Sequence, residues 1–408
     1  MNSKKPKNSI ATTCAAALSC TVLFLAAPPS SIGQTQSAVN PSRSFAPGAC
    51  GPADPAYIRT ANATGGIPMF LQRSEAAAAF HLVRESTRNN VSTVYWATGT
   101  LDGKTKSIEI PVDSATQRIT FAFSADVKGT ALKVTQPSGG AITQGSASME
   151  ITDLNCGRIL TISSPEAGKW RAEIAGTGRY WIQAMAQSDI YFIRAEFVKV
   201  GGRPGHQGMF RIQGQPLAGA PATMQASLSA KDTITHEFYL VNEQGETIQK
   251  LQMHAENADR EFLEFSGSVE LPAAPFRVAV SGRDDHGKEY QRFFSSLFHA
   301  ETVEVTPNFD FDELRPGNAR QAVFRVRNTG SGRTFRITVT DAHQFVTKVE
   351  PKELPLGAGE TGTVLVDLTV PAETAAGIGD DIVIVAESTS SPPTSNSSVA
   401  HVSVAASR

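Results

Sequence analysis

The sequence predicts a mostly β protein: tandem β-sandwiches preceded by a small α/β segment. Two observations carry that reading. From Val91 onward apolar residues alternate with polar ones, and turns rich in Gly, Pro and Asn punctuate the alternation. The stretch Ile159–Phe197 then shows three such strands in succession. Ala172 and Ile174 alternate with Arg171 and Glu173; Tyr180, Ile182 and Ala184 share one face; Tyr191, Ile193, Ala195 and Phe197 alternate with Phe192, Arg194 and Glu196. A period of two means strands that bury one face and wet the other, as stacked antiparallel sheets do. Trp170, just after Gly168, is expected to plug the core.

The elements follow in chain order. Residues 1–33 read as a secretory signal peptide: Lys4, Lys5 and Lys7, an apolar run from Ala15 to Ala27, then small and polar residues, with cleavage after Ala27 or Gly33. The run is shorter than the ~20 residues a spanning helix needs, so no membrane span is expected after cleavage. Cys20 resembles a lipoprotein site only faintly, because Val22–Ala27 follows it and puts the apolar core on the wrong side. Residues 34–100 hold a flexible Ser/Pro/Ala/Gln-rich lead-in to Pro47, then a short α/β segment. Its parts are a helix over Tyr57–Thr64 closed by Gly65-Gly66, a strand at Ile67–Leu71, and a helix from Ser74-Glu75 to Asn89. Ala76–Ala79, Phe80, Leu82 and Val83 supply the apolar side of that second helix.

Residues 101–200 carry Ile108, Ile110 and Val112, then Ile119, Phe121 and Phe123, then Leu132 and Val134, ahead of the three strands above. Their turns fall at Pro137–Gly140, Pro165–Gly168 and Gly176–Gly178. Gly201–Gly205 marks a hinge. Residues 201–304 place Phe238, Leu240, Phe262, Phe265, Phe276, Val278 and Val280 inward, with hairpin turns at Gln244-Gly245 and Asp285–Gly287. Residues 305–408 alternate most cleanly, through Ala322–Val326, Phe335–Val339, Val364–Val370 and Ile382–Ala386 to a polar loop at Pro392–Ser398 and a last strand at Val399–Val404. About seven short strands in about a hundred residues is the immunoglobulin-like pattern, without the Cys…Trp…Cys core of antibody domains.

Composition narrows the function classes. The formal net charge of −2 becomes −5 when Lys4, Lys5 and Lys7 leave with the leader. A mildly acidic surface without a basic run argues against nucleic acid as a partner. Of the four cysteines, Cys14 and Cys20 lie in the leader. Cys50 and Cys156 remain, and an even pair in an exported chain suggests one disulfide, the alternative being two buried thiols.

No catalytic signature emerges, and no cofactor is implied. His236-Glu237 lacks the second histidine of a zinc-protease helix, and no Gly-x-Ser-x-Gly elbow exists. Gly168-Lys169 lacks the glycine and hydroxyl of a phosphate loop, and Gly176-Thr-Gly178 reads as a hairpin turn. Two groups of oxygen ligands are weighed against blander readings. Asn308, Asp310 and Asp312 would point one way from an extended strand and could hold calcium, but Glu313 replaces the glycine of a calcium loop, so a solvated linker is expected. Asp284-Asp285-His286-Gly287 could offer ligands, yet a tight turn explains it without metal. The sequons at Asn62, Asn90 and Asn396 matter only in a eukaryotic secretory pathway.

Several stretches resemble a known family. Ile110–Gly140, Pro165–Trp170 and Ser188–Phe197 resemble the galactose-binding-like β-sandwich that follows the A domain in hemicentins and related von Willebrand factor A domain-containing proteins. Gly202–Gly208 and Pro275–Arg292 resemble the Ig-like domain that comes next in those relatives. The last unit, with Pro316-Gly317, Asn328–Gly330, Leu356–Glu360 and Val370-Pro371, is similar to Ig-like modules of bacterial surface proteins. The resemblance implies one jelly-roll or galactose-binding-like sandwich and two Ig-like ones. Tyr57–Phe70 resembles only the closing helix and strand of an A domain, and the Asp-x-Ser-x-Ser loop that holds an adhesion metal is missing. The chain is thus expected to be an exported, non-enzymatic protein of cell-surface or extracellular interaction, its partner an unidentified protein or glycan. The alternative is a carbohydrate-binding module in which exposed Tyr95, Trp96, Trp181 or Tyr290 stack on sugar rings.

Overall fold

The computed structural model describes residues 50–51, 54–140, 142, 148–201, 207–219, 221–229, 235–257 and 262–406. The signal peptide, Cys14, Cys20, the lead-in to Pro47 and residues 202–205 of the expected hinge lie outside the described residues. The described chain is mostly β, and its sheets stack as sandwiches.

Two helices come first: α1 (Pro55–Thr64), capped by the Asp54 side chain on the Ala56 amide and ended by Gly65 in the left-handed region, and α2 (Ala76–Ser86), entered by a 3-10 turn at Arg73–Glu75. Eight strands follow: β1 (Val91–Asp102), β2 (Lys106–Val112), β3 (Arg118–Ala125), β4 (Ala131–Thr135), β5 (Met149–Leu154), β6 (Gly157–Ser163), β7 (Gly168–Ala175) and β8 (Thr177–Gln187). The sheet β2-β7-β4 packs on β1-β8-β3-β6-β5, with Ile110, Phe121, Phe123, Trp170, Ala172 and Ile182 between them. Trp170 is in the core, as its position after Gly168 implies, and its indole N–H donates to the Glu166 carbonyl at 2.8 Å.

β3 and β8 are buried on both faces, where alternation alone would wet one of them. The helices supply the cover. From β8, Trp181 Nε1 donates to Asn62 Oδ1 (3.1 Å) and Gln183 Nε2 to the Gly65 carbonyl (2.7 Å). From α2, His81 Nε2 meets Thr161 Oγ1 (3.3 Å) and the buried Glu85 binds Arg88 (2.7 Å). Two expectations are corrected here. Ile67–Leu71 forms no strand: Ile67 and Phe70 are buried in the first core, but the segment pairs with no neighbour among the described residues. Phe80 and Val83 do not face inward; they are 74 % and 44 % exposed, because Ala78, Leu82, His81 and Glu85 take the inner side of α2, which stops at Ser86.

The Cys50–Cys156 pair is bridged, with an S–S distance of 2.02 Å, which ties the start of the described chain to the β5–β6 turn. The bridge decides between the two cysteine readings.

The second group comprises β9 (Phe192–Gly201), β10 (Gly208–Arg211), β11 (Ala222–Leu228), β12 (Thr235–Val241), β13 (Thr247–Leu251), β14 (His254–Asn257), β15 (Leu263–Val269), β16 (Arg277–Arg283) and β17 (Glu289–Phe293). β9 does not extend the sheet of β7 and β8, with which its alternation groups it in sequence. It pairs with β11 in the sheet β10-β9-β11-β15-β14, and a register shift at Ser227/Leu228 leaves Ile193 45 % exposed while Ala195 and Phe197 go inward. β13-β12-β16-β17 join β1 through Thr93 and Phe293, so one nine-stranded sheet runs through both groups. Phe238, Leu240, Phe265, Phe276, Val278 and Val280 are buried as their pattern predicts.

The third group is β18 (Val303–Pro307), β19 (Glu313–Leu314), β20 (Ala319–Asn328), β21 (Arg333–Thr340), β22 (Val346–Glu350), β23 (Glu353–Leu356), β24 (Thr361–Thr369), β25 (Gly379–Ser388) and β26 (Ser395–Val404). The sheets β18-β20-β24-β22 and β19-β26-β25-β21-β23 enclose a core of their own around Phe324, Phe335, Val364, Val366, Ile382 and Ile384. β26 begins at Ser395, inside the polar stretch expected to be loop, because Asn396 and Ser398 are buried by hydrogen bonds and not by apolar contact.

Candidate functional site

The four aromatic residues considered as a sugar platform are all buried: Tyr95 is 7 % exposed, Trp96 1 %, Trp181 2 % and Tyr290 1 %. Trp96 Nε1 donates to the Gly66 carbonyl (2.9 Å), and the Arg277 guanidinium lies 4.3 Å above its ring. Phe70 packs 5.7 Å from Trp181, Phe293 5.5 Å from Tyr95, and Tyr290 Oη is 2.7 Å from His236 Nδ1. Trp96 and Trp181 join the sheet to the helical layer, Tyr95 and Tyr290 pack within the nine-stranded sheet, and with all four rings buried the stacking platform is overturned. Burial lowers the His236 pKa, and it raises those of the Tyr95 and Tyr239 hydroxyls.

Asp284, Asp285 and His286 do cluster, with donor atoms within 4.8 Å of one another. Asp284 is buried, and both its oxygens are engaged. Oδ2 accepts from the Ser114 amide (2.8 Å) and hydroxyl (2.6 Å), and Oδ1 from the amides of His286 (3.0 Å) and Lys288 (2.7 Å). Burial pushes its pKa up, but these hydrogen bonds outweigh it and leave the carboxyl below the ordinary carboxylate range. The cluster is a tight turn that locks onto Ser114. Asn308, Asp310 and Asp312 are exposed while Phe309 and Phe311 lean on the third core, so the alternation puts the three polar side chains toward solvent. Gly176 (φ 138°) and Gly178 (φ 85°) make the β7–β8 turn.

A buried ion pair escaped sequence reading. Arg292 and Asp113 are both fully buried, Nη2 to Oδ2 at 2.6 Å. Arg292 also donates to the carbonyls of Ile190 (2.6 Å) and Gln291 (2.7 Å), and Ser188 Oγ donates to Asp113 Oδ1 (3.0 Å). In sequence Asp113 is one more polar residue after a strand, and Arg292 one more outward position of a hairpin. Arg277 is likewise buried and donates to the carbonyls of Ser295 and Asn62; burial lowers its pKa to about 10.

What the fold leaves outside is a short edge. All four residues of β10 are exposed, and Val200, Met209 and Phe210 are 75 %, 43 % and 49 % exposed. Among the described residues no helix is long and apolar enough to cross a membrane.

Comparison with known proteins agrees with this architecture. Residues 93–189 match the family "Hemicentin galactose-binding domain-like", and residues 304–406 match "VWA7 Ig-like domain". The Ig-like match falls on the last module, where the sequence had suggested bacterial surface modules. No curated protein sequence matches the chain. Among solved structures, a Bacillus licheniformis lipase, BlEst2 in its propeptide form, is 12 % identical over 58 % of this chain and 41 % of its own, TM-score 0.26. Escherichia coli alpha-2-macroglobulin is 11 % identical over 74 % of this chain and 33 % of its own, TM-score 0.25. A marsupial T cell receptor is 10 % identical over 77 % and 100 %, TM-score 0.19. This chain therefore spans about two fifths of the lipase and a third of the macroglobulin. The chain thus carries one segment similar to hemicentin galactose-binding-like domains and one similar to VWA7 Ig-like domains.

Proposed function

We propose that the chain is an exported, non-enzymatic β-sandwich protein that acts by interaction at the cell surface or outside it, as an adhesion or scaffolding component. Its division would be a leader over 1–33, the lead-in and α/β segment over 34–100, and modules over 101–200, 201–304 and 305–408, with β1 counted in the first module and β9 in the second. The observation that supports the reading most is where the reactive side chains are. Trp96, Trp181, Asp113 and Asp284 are engaged in hydrogen bonds that join layers or modules, and His236 and Tyr290 in one within a sheet, which leaves recognition to loops, faces and edges. Secretion is supported by the Lys4–Lys7 and Ala15–Ala27 pattern and by the Cys50–Cys156 bridge, which suits an oxidising compartment. Cell fractionation together with pull-down from envelope and extracellular extracts, with the mature chain as bait, tests it. Enrichment of a specific partner in the extracellular or envelope fraction is expected. A chain found only in the cytoplasm, or one that captures nothing, ends the reading.

A further inference from the structure

We propose that the edge strand β10 takes up an extended, acidic segment of a partner protein as an added strand; this rests on the interaction reading above. β10 closes the sheet β10-β9-β11-β15-β14, and no strand lies beyond it among the described residues. Its register sets Met209 opposite Val200 and Phe210 opposite Lys199, and the Ile212 amide donates to the Phe197 carbonyl at 2.9 Å. Hydrogen-bonded pairs alternate along an antiparallel ladder, so Gly208 and Phe210 turn their backbone groups to β9. Met209 and Arg211 turn their N–H and C=O groups outward. Exposed edges are ordinarily blunted by short strands, charged side chains, proline, an inward charge or a covering loop; β10 is short and carries Arg211. Beside that charge it shows Val200, Met209 and Phe210. Val399, 39 % exposed, adds a further apolar residue nearby, its amide 2.6 Å from Gln213 Oε1 just beyond β10.

Charge selects the occupant. Lys199 and Arg211 are exposed on the paired strands, and Arg211, 78 % exposed, meets Glu196 only at 3.9 Å. A second copy would bring the same two cations to the edge. Lys199 lies opposite Phe210 and so on the other face from Arg211. A segment with carboxylates between its apolar residues sets them all on one face, toward Arg211, and meets the outward backbone groups, the mode in which an added strand gains affinity from main-chain bonds and specificity from alternate side chains.

The test uses the mature full-length chain and fluorescence anisotropy with a short labelled peptide of alternating valine and glutamate, against a valine/lysine counterpart. The expected result is saturable binding of the glutamate peptide only, weakened on the order of tenfold by Met209→Pro and by Arg211→Glu, and weakened by salt. Met209→Pro removes an outward N–H that no ladder bond uses, so the melting temperature should hold; Arg211→Glu tests the same edge without touching the backbone. Failure of the wild-type chain to bind, equal binding of the lysine peptide, or indifference to both variants overturns the proposal. So does a concentration-dependent dimer that Met209→Pro abolishes, since the occupant would then be a second copy. If wild type and Met209→Pro capture the same extracellular partner while neither binds peptide, the edge proposal falls and the interaction reading stands. Capture by neither chain removes the broader reading.

Discussion

Arg292 is buried completely, yet each nitrogen of its guanidinium has a partner: Nε the Ile190 carbonyl, Nη1 that of Gln291 and Nη2 the Asp113 carboxylate. Burial pushes the Asp113 carboxyl up, but the charge of Arg292 and the hydrogen bonds from Arg292 and Ser188 outweigh it and hold the pKa below the ordinary value. A folded-state pKa below the unfolded ~3.9 contributes stability that is fully present above that pH and is lost as pH falls through the depressed value. Arg292→Met should therefore destabilise by about 3–5 kcal/mol at neutral pH, because an unpaired buried carboxylate remains. The deficit should shrink toward pH 4 as Asp113 takes up a proton, and urea midpoints at several pH values measure both. Gly65 makes a second residue-scale case: φ is +79°, and a Cβ there would stand 2.7 Å from the Ser295 carbonyl oxygen. Gly65→Ala should cost about 1–3 kcal/mol, read from the same melts. Two of the three sequons are structural, since Asn62 accepts from Trp181 and the buried Asn396 donates to the Gln215 and Val303 carbonyls.

At the scale of elements, the helical layer is the least legible part. The sequence marks α1 through Gly65, and the turns at Gly176 and Gly245 are where glycine predicts them, because a positive φ is a local demand. The inner side of α2 is not local: it was settled by Thr161, Glu150 and Arg118 on the strands beneath, which draw His81 and Glu85 inward and turn Phe80 out. The Cys50–Cys156 bridge spans a separation of 106 residues. Replacing both cysteines by serine should lower stability by up to ~4–5 kcal/mol on the chain-entropy account, measured as the shift in urea midpoint under non-reducing conditions.

For the whole molecule, the junctions differ in kind. The first and second groups share a sheet, and Tyr239, Val241, Ala279 and Phe293 lie in the same apolar cluster as Val94, Ala97 and Tyr95. Asp113–Arg292 and Ser114–Asp284 tie them further, and the carbonyls of Asn62 and Ala63 reach Arg277 and Leu297. The third group meets the second through polar contacts: Gln213 with Ser398 and Val399, Gln215 with Asn396, and Glu301 with Thr394 and Ser395. Calorimetry should then show one transition for the first two groups together and a separate one for the third. The isolated fragment 304–406 should melt cooperatively near that second transition, whereas a fragment ending before β9 should not fold, since Asp113 would lose Arg292.

The sequence by itself determined the class of fold, most inward residues of the strands whose alternation is clean and the positions of the marked turns, because period-two alternation and positive-φ glycines act within a few residues. Only the tertiary structure decided which strand pairs with which and which polar groups are buried. Alternation in Phe192–Gly201 says that a strand has an inner face and not that its neighbour is β11, and nothing near Asp113 in the chain announces Arg292. Such pairings depend on residues far apart in sequence, whose energies are set only when desolvated groups meet.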